Sequence, residues 1–210
     1  MHGFSDGGLV AVSFTFEGKI AEIKSSGKTP RLLLHCCCAP CASYVLEYLS
    51  PLFKISILFY NPNIRPGNEF IKREAEIHRL LSQAVYPNSI DVLNCTYDAE
   101  VFESAAALLW EEPEGGQRCW TCFELRLREA AKRARDGGYD YFASTLSVSP
   151  HKNAAVLNEI GDRLAGEFGV EYLPSDFKKR NGYKRSIELS KQYDLYRQIY
   201  CGCKFETIRE

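Results

Sequence analysis

From Arg31 onward, short apolar runs alternate with longer stretches in which apolar residues return every three or four positions. Leu32-Leu33-Leu34-His35 is continuous, as a strand buried on both faces would be. After Pro40, Val45, Leu46 and Leu49 share one side and predict a helix. Ile55 to Tyr60 predicts a second strand, stopped by Asn61-Pro62-Asn63, and Phe70, Ile77, Leu81 and Ala84 mark a helix face. A third strand falls around Ser89 to Leu93. Ala99 to Trp110 predicts a helix that the Glu-Pro-Glu-Gly-Gly stretch 112–116 ends, and Phe123, Leu127, Ala130 and Ala134 space the next one as far as Asp136-Gly137-Gly138. Tyr139 to Ser144 predicts a strand, Val156, Ile160 and Leu164 a helix, and Val170 to Leu173 a last strand.

This alternation predicts an α/β fold: a Rossmann-like parallel sheet with helices on both faces, forming a single domain. Ligands of such sheets gather at the carboxyl ends of the strands. The domain is expected to span 31–210 and to carry the site, with 1–30 as an N-terminal extension whose alternating Leu9 to Phe16 predicts a short strand. The Tyr-rich tail from Asp176 is expected to close over the site.

Composition narrows the class. The chain has 210 residues, 45% hydrophobic and 25% charged, enough to bury a core without a metal for bulk. A formal net charge of -1 gives no global footprint for nucleic acid, which leaves only a local basic patch for a phosphate backbone. No apolar run approaches membrane-spanning length and Met1 to Pro30 lacks the pattern of a secretory signal, so a cytoplasmic protein with no membrane partner is expected. In a reducing compartment nine cysteines point to metal binding or thiol chemistry rather than structural disulfides.

Eight of the nine fall into three groups: Cys36-Cys37-Cys38-Ala39-Pro40-Cys41, Cys119-Trp120-Thr121-Cys122 and Cys201-Gly202-Cys203. Cys95 stands alone and reads as core. Converging thiolates repel one another unless a cation neutralises them. Eight sulfurs exceed the four of one tetrahedral zinc, which favours an iron–sulfur cluster with ligands left for a second metal. A structural zinc on Cys119, Cys122, Cys201 and Cys203, or a thioredoxin-like dithiol, are the competing readings. Two of the groups head predicted helices, whose amino-terminal dipoles favour thiolate. His35, ending an apolar run, reads as a packed core residue rather than a ligand.

Three further stretches carry candidate chemistry. Tyr60, Asn61 and Asn63 follow the second strand and offer an aromatic and amides to a nucleobase, against an ordinary turn. Ser144 and Thr145 open a hydroxyl-rich run through Lys152 that suits an anion or polar substrate, against simple helix capping. Asp176 to Arg185 holds five cations and two aromatics; Lys178, Lys179 and Arg185 are its candidate phosphate contacts, against a solvated face, and Asp176 is a candidate proton donor. No glycine fingerprint or Walker loop is present, so flavin and NAD binding are not expected.

Together, His35-Cys36-Cys37-Cys38-Ala39-Pro40-Cys41, Tyr60-Asn61-Pro62-Asn63-Ile64, Arg118-Cys119-Trp120-Thr121-Cys122, Ser144-Thr145-Leu146, Asp176-Phe177-Lys178-Lys179 and Tyr200-Cys201-Gly202-Cys203 resemble the epoxyqueuosine reductases of the QueH type, in family order from Arg31 to about Phe205. The resemblance implies an adenine-nucleotide-hydrolase-like fold, a [4Fe-4S] cluster with an adjacent iron ion, and reduction of epoxyqueuosine to queuosine in the anticodon of tRNA, with electrons from an unidentified donor. It places the cluster on Cys119, Cys122, Cys201 and Cys203 and the iron on Cys37, Cys38 and Cys41, with Cys37 and Cys38 at the catalytic centre. ATP-using relatives of that fold carry a Ser-Gly-Gly-x-Asp-Ser phosphate loop where this chain has cysteines, so ATP binding is not expected. The rival functions are a zinc-stabilised RNA-binding module and an ATP-dependent tRNA sulfurtransferase.

Overall fold

The computed structural model describes residues 15–203, and the expected strand at Leu9 to Phe16 lies outside them except for its last two positions. There the chain is helical instead: Thr15 caps α1 (Phe16–Ser26), its hydroxyl accepting from the Gly18 N–H. Ile20 and Ile23 of that helix are buried in the main core.

The remaining elements run β1 (Arg31–His35), α2 (Ala39–Leu49), β2 (Lys54–Leu58), α3 (Gly67–Gln83), β3 (Ile90–Leu93), α4 (Ala99–Ala106), α5 (Gln117–Asp136), β4 (Tyr141–Ser144), α6 (Ala154–Phe168), β5 (Glu171–Tyr172) and α7 (Gly182–Gln192). Ala107–Leu109 and Thr145–Val148 form short 3-10 turns. The five strands lie in the order β3-β2-β1-β4-β5 and every pairing is parallel, with His35 facing Leu58 on one side and Ser144 on the other. This is the order of a doubly wound sheet, whose crevice opens where neighbouring strands send their chains to opposite sides, here between β1 and β4.

Alternation along the strands divides the core. Leu32, Leu34, Ile55, Ile57 and Ala143 point into one cluster with α2 and α3, while Leu33, Leu58 and Phe142 point into another with α5 and α6. Both faces of the sheet are therefore covered, which is why its central strands read as unbroken apolar runs. The strand ends are shorter than expected: β4 begins at Tyr141 and β5 holds only two residues. Among the described residues no helix is long and apolar enough to cross a membrane.

Three loops leave the carboxyl ends of β1, β2 and β4 side by side: the cysteine loop after His35, the Asn-Pro-Asn loop after β2, and the turn at Thr145–Val148. They form the floor of the site.

Candidate metal centre

The first cysteine group is shaped by the start of α2. Cys36 donates its backbone N–H to Leu58 at 3.0 Å, extending the sheet by one bond, and its side chain is buried in the main core. Cys38 is the extended residue that caps α2, Pro40 sits within the first turn, and Cys41 follows three residues after Cys38. Helical spacing then turns Cys41 back toward Cys38. The Sγ atoms of Cys37, Cys38 and Cys41 lie within 4.8 Å of one another, and those of Cys37 and Cys38 are 3.7 Å apart. Two thiolates at about 2.3 Å from one tetrahedral ion stand roughly 3.8 Å apart. The group is thus able to hold a metal ion.

The later cysteines come from two distant segments. Cys119 and Cys122 occupy the first turns of α5, and Cys201 and Cys203 come from the irregular tail after α7. Cys122 and Cys203 are buried with Phe102 and Ala106, with Cys201 packed against them, and Cys119 accepts from the Gly115 N–H at 3.2 Å. Gly202 turns the tail with φ 106, and a Cβ there would meet Ile64 Cα at 3.2 Å. Only glycine fits both the backbone and the space.

Bonds from the strand-end loops hold that tail in place. The Arg65 N–H donates to the Gly202 carbonyl at 3.0 Å. Arg73, ion-paired to Glu69 at 2.7 Å with both side chains buried, donates to the carbonyls of Cys201 and Tyr200. Asn61 reaches the other way, its Nδ2 donating to the Cys36 carbonyl at 2.8 Å. The Asn-Pro-Asn loop therefore braces both cysteine groups, a role its reading as a turn or nucleobase grip did not contain.

The two groups also share cations. Arg126, one turn beyond Cys122, is buried, and its Nε donates to the Cys122 carbonyl at 3.1 Å. Lys152 Nζ lies 3.5 Å from Cys201 Sγ and 3.1 Å from Glu114 Oε1. Hydrogen bonds with the Cys38 and Cys41 thiols hold the Cys37 thiol well below the ordinary range, with the Arg126 charge assisting against burial. Cys201 is likewise held down, first by its hydrogen bond with Cys203, then by the charges of Lys152 and Arg126 against burial. Their neighbours move the other way: Cys38 rises to about 12 through its bond with Cys37, and burial pushes Cys122 up to about 11. Burial, then the Arg126 charge, lowers His35 to about 4, so the ring is neutral near pH 7. It is fixed between Ser144 Oγ at 2.9 Å and the Tyr60 carbonyl at 3.1 Å.

A cavity of about 600 Å³ opens above these groups, reached by Cys37, Cys38, Cys41 and Cys201 and walled by the tail residues Arg197 to Tyr200. Asn63 lines it with a buried, unpartnered Oδ1. The other sequence candidates stand elsewhere. In the bonds just described Tyr60 uses only its backbone carbonyl, Ser144 its hydroxyl, and Asn61 its Nδ2, leaving Asn61 Oδ1 buried without a partner among the described residues; the buried Thr145 hydroxyl sits 3.9 Å from Cys37 Sγ. Asp176 lines a separate cavity of about 310 Å³ together with Lys179. Lys178 Nζ approaches Asp176 Oδ1 at 2.7 Å and the Lys152 carbonyl at 3.4 Å. Arg185 is paired on the surface with Glu47 and Glu188. Arg73, Arg126 and Arg197 at the cavity went unnoticed in the sequence. The signal for Arg126 was its helical spacing from Cys119 and Cys122, at seven and four residues.

Residues 32–208 match the model of a family described as epoxyqueuosine reductase QueH. A Staphylococcus epidermidis protein named epoxyqueuosine reductase QueH is 43% identical over 195 residues, covering 91% of this chain and 82% of its own. Proteins of the same name are similar at 44% over 178 residues in Streptococcus pyogenes serotype M1, covering 84% of this chain and 70% of that one, and at 42% over 185 residues in Staphylococcus aureus, covering 86% and 77%.

Proposed function

The chain belongs to the epoxyqueuosine reductase QueH family, and we propose that it reduces epoxyqueuosine to queuosine in tRNA, in the cavity that joins its two cysteine groups. The observation that carries this reading is one space of about 600 Å³ touching Cys37, Cys38 and Cys41 on one side and Cys201 on the other. That volume suits a single modified nucleoside turned out of an RNA loop. Deoxygenation of an epoxide to an alkene consumes two electrons and two protons and releases water, so the site needs an electron path and a way to make oxygen leave.

The residues fit both requirements. Three thiols at single-ion spacing in the loop suit one iron, while the later four, spread more widely over α5 and the tail, suit the corners of a [4Fe-4S] cluster. When bound, the ion would draw electron density from the epoxide oxygen and the cluster would deliver the electrons. The chain does the rest. Arg73 and Asn61 brace the two cysteine groups, and the tail walls the cavity above them. Asn63 presents an unpaired carbonyl oxygen to a donor on the nucleoside. His151, Lys152 and Tyr183 line the cavity with exchangeable protons; Asp176 would serve as donor only across the segment that separates the two cavities. Lys178, Lys179 and Arg185 lie outside the cavity, so on this reading they would contact phosphates of the surrounding RNA rather than the reacting base.

Anaerobic turnover of epoxyqueuosine-containing tRNA with a chemical reductant tests this reading. The product nucleoside should lose one oxygen in mass, without ATP. A colourless zinc protein that binds RNA without turnover, or a product carrying sulfur at the expense of ATP, would contradict it.

A further inference from the structure

Among the described residues Arg126 has no carboxylate partner in a hydrogen bond or ion pair. It is 2% exposed, its Nε is spent on the Cys122 carbonyl, and its Nη2 is buried with no partner. A buried guanidinium left uncompensated costs several kcal/mol. The ionisable groups that act on it electrostatically are the sulfurs of Cys122, Cys201, Cys37 and Cys203. Lys152, 8% exposed, repeats the pattern from the other side, with Cys201 Sγ at 3.5 Å and the carboxylate of Glu114 at 3.1 Å. Glu114 itself is more than half exposed at the cavity rim. Arginine suits the inner position because it never loses its proton, whereas lysine at the rim keeps its charge through its anionic neighbours.

We propose that Arg126 and Lys152 are positioning residues that set the reduction potential of the centre on the later cysteines, with Glu114 opposing them from the rim. This rests on the reading of those cysteines as the ligands of an electron-carrying cluster. Reduction adds negative charge to a site already rich in sulfur. A fixed cation within a few ångströms, in a medium of low dielectric, stabilises the reduced form more than the oxidised one and raises the potential; a nearby anion does the reverse. Cys37 acts on Arg126 electrostatically as well, and Arg126 lines the cavity that the loop cysteines share with Cys201.

The test is a spectroscopically monitored redox titration of the anaerobically purified holoenzyme and its variants. Lys152→Gln should lower the cluster potential and Glu114→Gln should raise it, although the two side chains touch each other and each change removes one charge. Arg126→Gln should lower it further than Lys152→Gln, and Arg126→Lys should restore most of the difference. Should Arg126→Gln fail to fold, the Lys152 and Glu114 pair at the rim decides by itself. Shifts of the same sign, or a potential that ignores both rim substitutions in a protein that is brown and rich in iron and sulfide, would overturn the inference alone. A colourless protein lacking iron and sulfide would overturn the cluster reading and the inference with it.

Discussion

The two cysteine groups are built in opposite ways. The loop after β1 takes three converging thiols from five consecutive residues, positioned by the first turn of one helix, with the Asn61 amide bracing its Cys36 carbonyl. The later group joins α5 to a tail some eighty residues downstream, which Gly202, Arg65, Arg73 and the buried Glu69 help to pin in place. A local group is dictated by secondary structure; a group assembled from distant segments is dictated by its braces. Damage to a thiol in the loop should therefore remove one ion and leave the fold, whereas damage to a brace should loosen a whole wall of the cavity.

The largest effect is expected from Cys38→Ala. Losing one of three loop thiols should lower turnover of epoxyqueuosine-containing tRNA roughly 100-fold or more, since even partners outside the ligand set cost 10- to 100-fold. Iron and sulfide on the later cysteines should stay at wild-type amounts by chemical assay. Cys203→Ala should do the converse, removing sulfide and the brown colour while the loop still takes up one divalent ion, read as cobalt absorption. Next comes Gly202→Ala, which forces φ 106 on an L residue and crowds Ile64. It should cost about 1–3 kcal/mol by denaturant titration and lower cluster content in the same protein. Asn61→Ala leaves the buried Cys36 carbonyl without its donor and should cost about 1–3 kcal/mol. Its effect on the loop ion should exceed its effect on the cluster. The smallest change is expected at Lys179, exposed and far from the cysteine cavity. Lys179→Ala should leave stability within about 0.5 kcal/mol and reduce the salt dependence of tRNA binding by about one phosphate contact, with turnover at saturating tRNA unchanged.

The same contrast explains what was legible in the sequence. Hydrophobic runs and three-to-four spacing revealed the alternating elements, because each is a local consequence of which face is buried. The cysteine loop was legible for the same reason: a strand end, a proline and a helix start lie within six residues of each other. The braces were not. Asn61 reads as a turn former, and nothing in its neighbourhood says that its amide will reach the Cys36 carbonyl across two strands. Arg126 reads as the polar side of a helix although the fold buries it, and Asp176 reads as a proton donor until the chain places it at another cavity. In each case a contact between distant segments decided the outcome.

The separation of the two groups is tested most directly by Mössbauer spectroscopy of the anaerobically prepared, iron-57-enriched protein beside its Cys38→Ala variant. The wild type should show a four-iron cluster together with one distinct mononuclear iron, and the variant should lose the mononuclear signal alone. Loss of both signals together, or a wild-type spectrum with no mononuclear iron, would contradict the division between a loop that holds an ion and a braced group that holds the cluster.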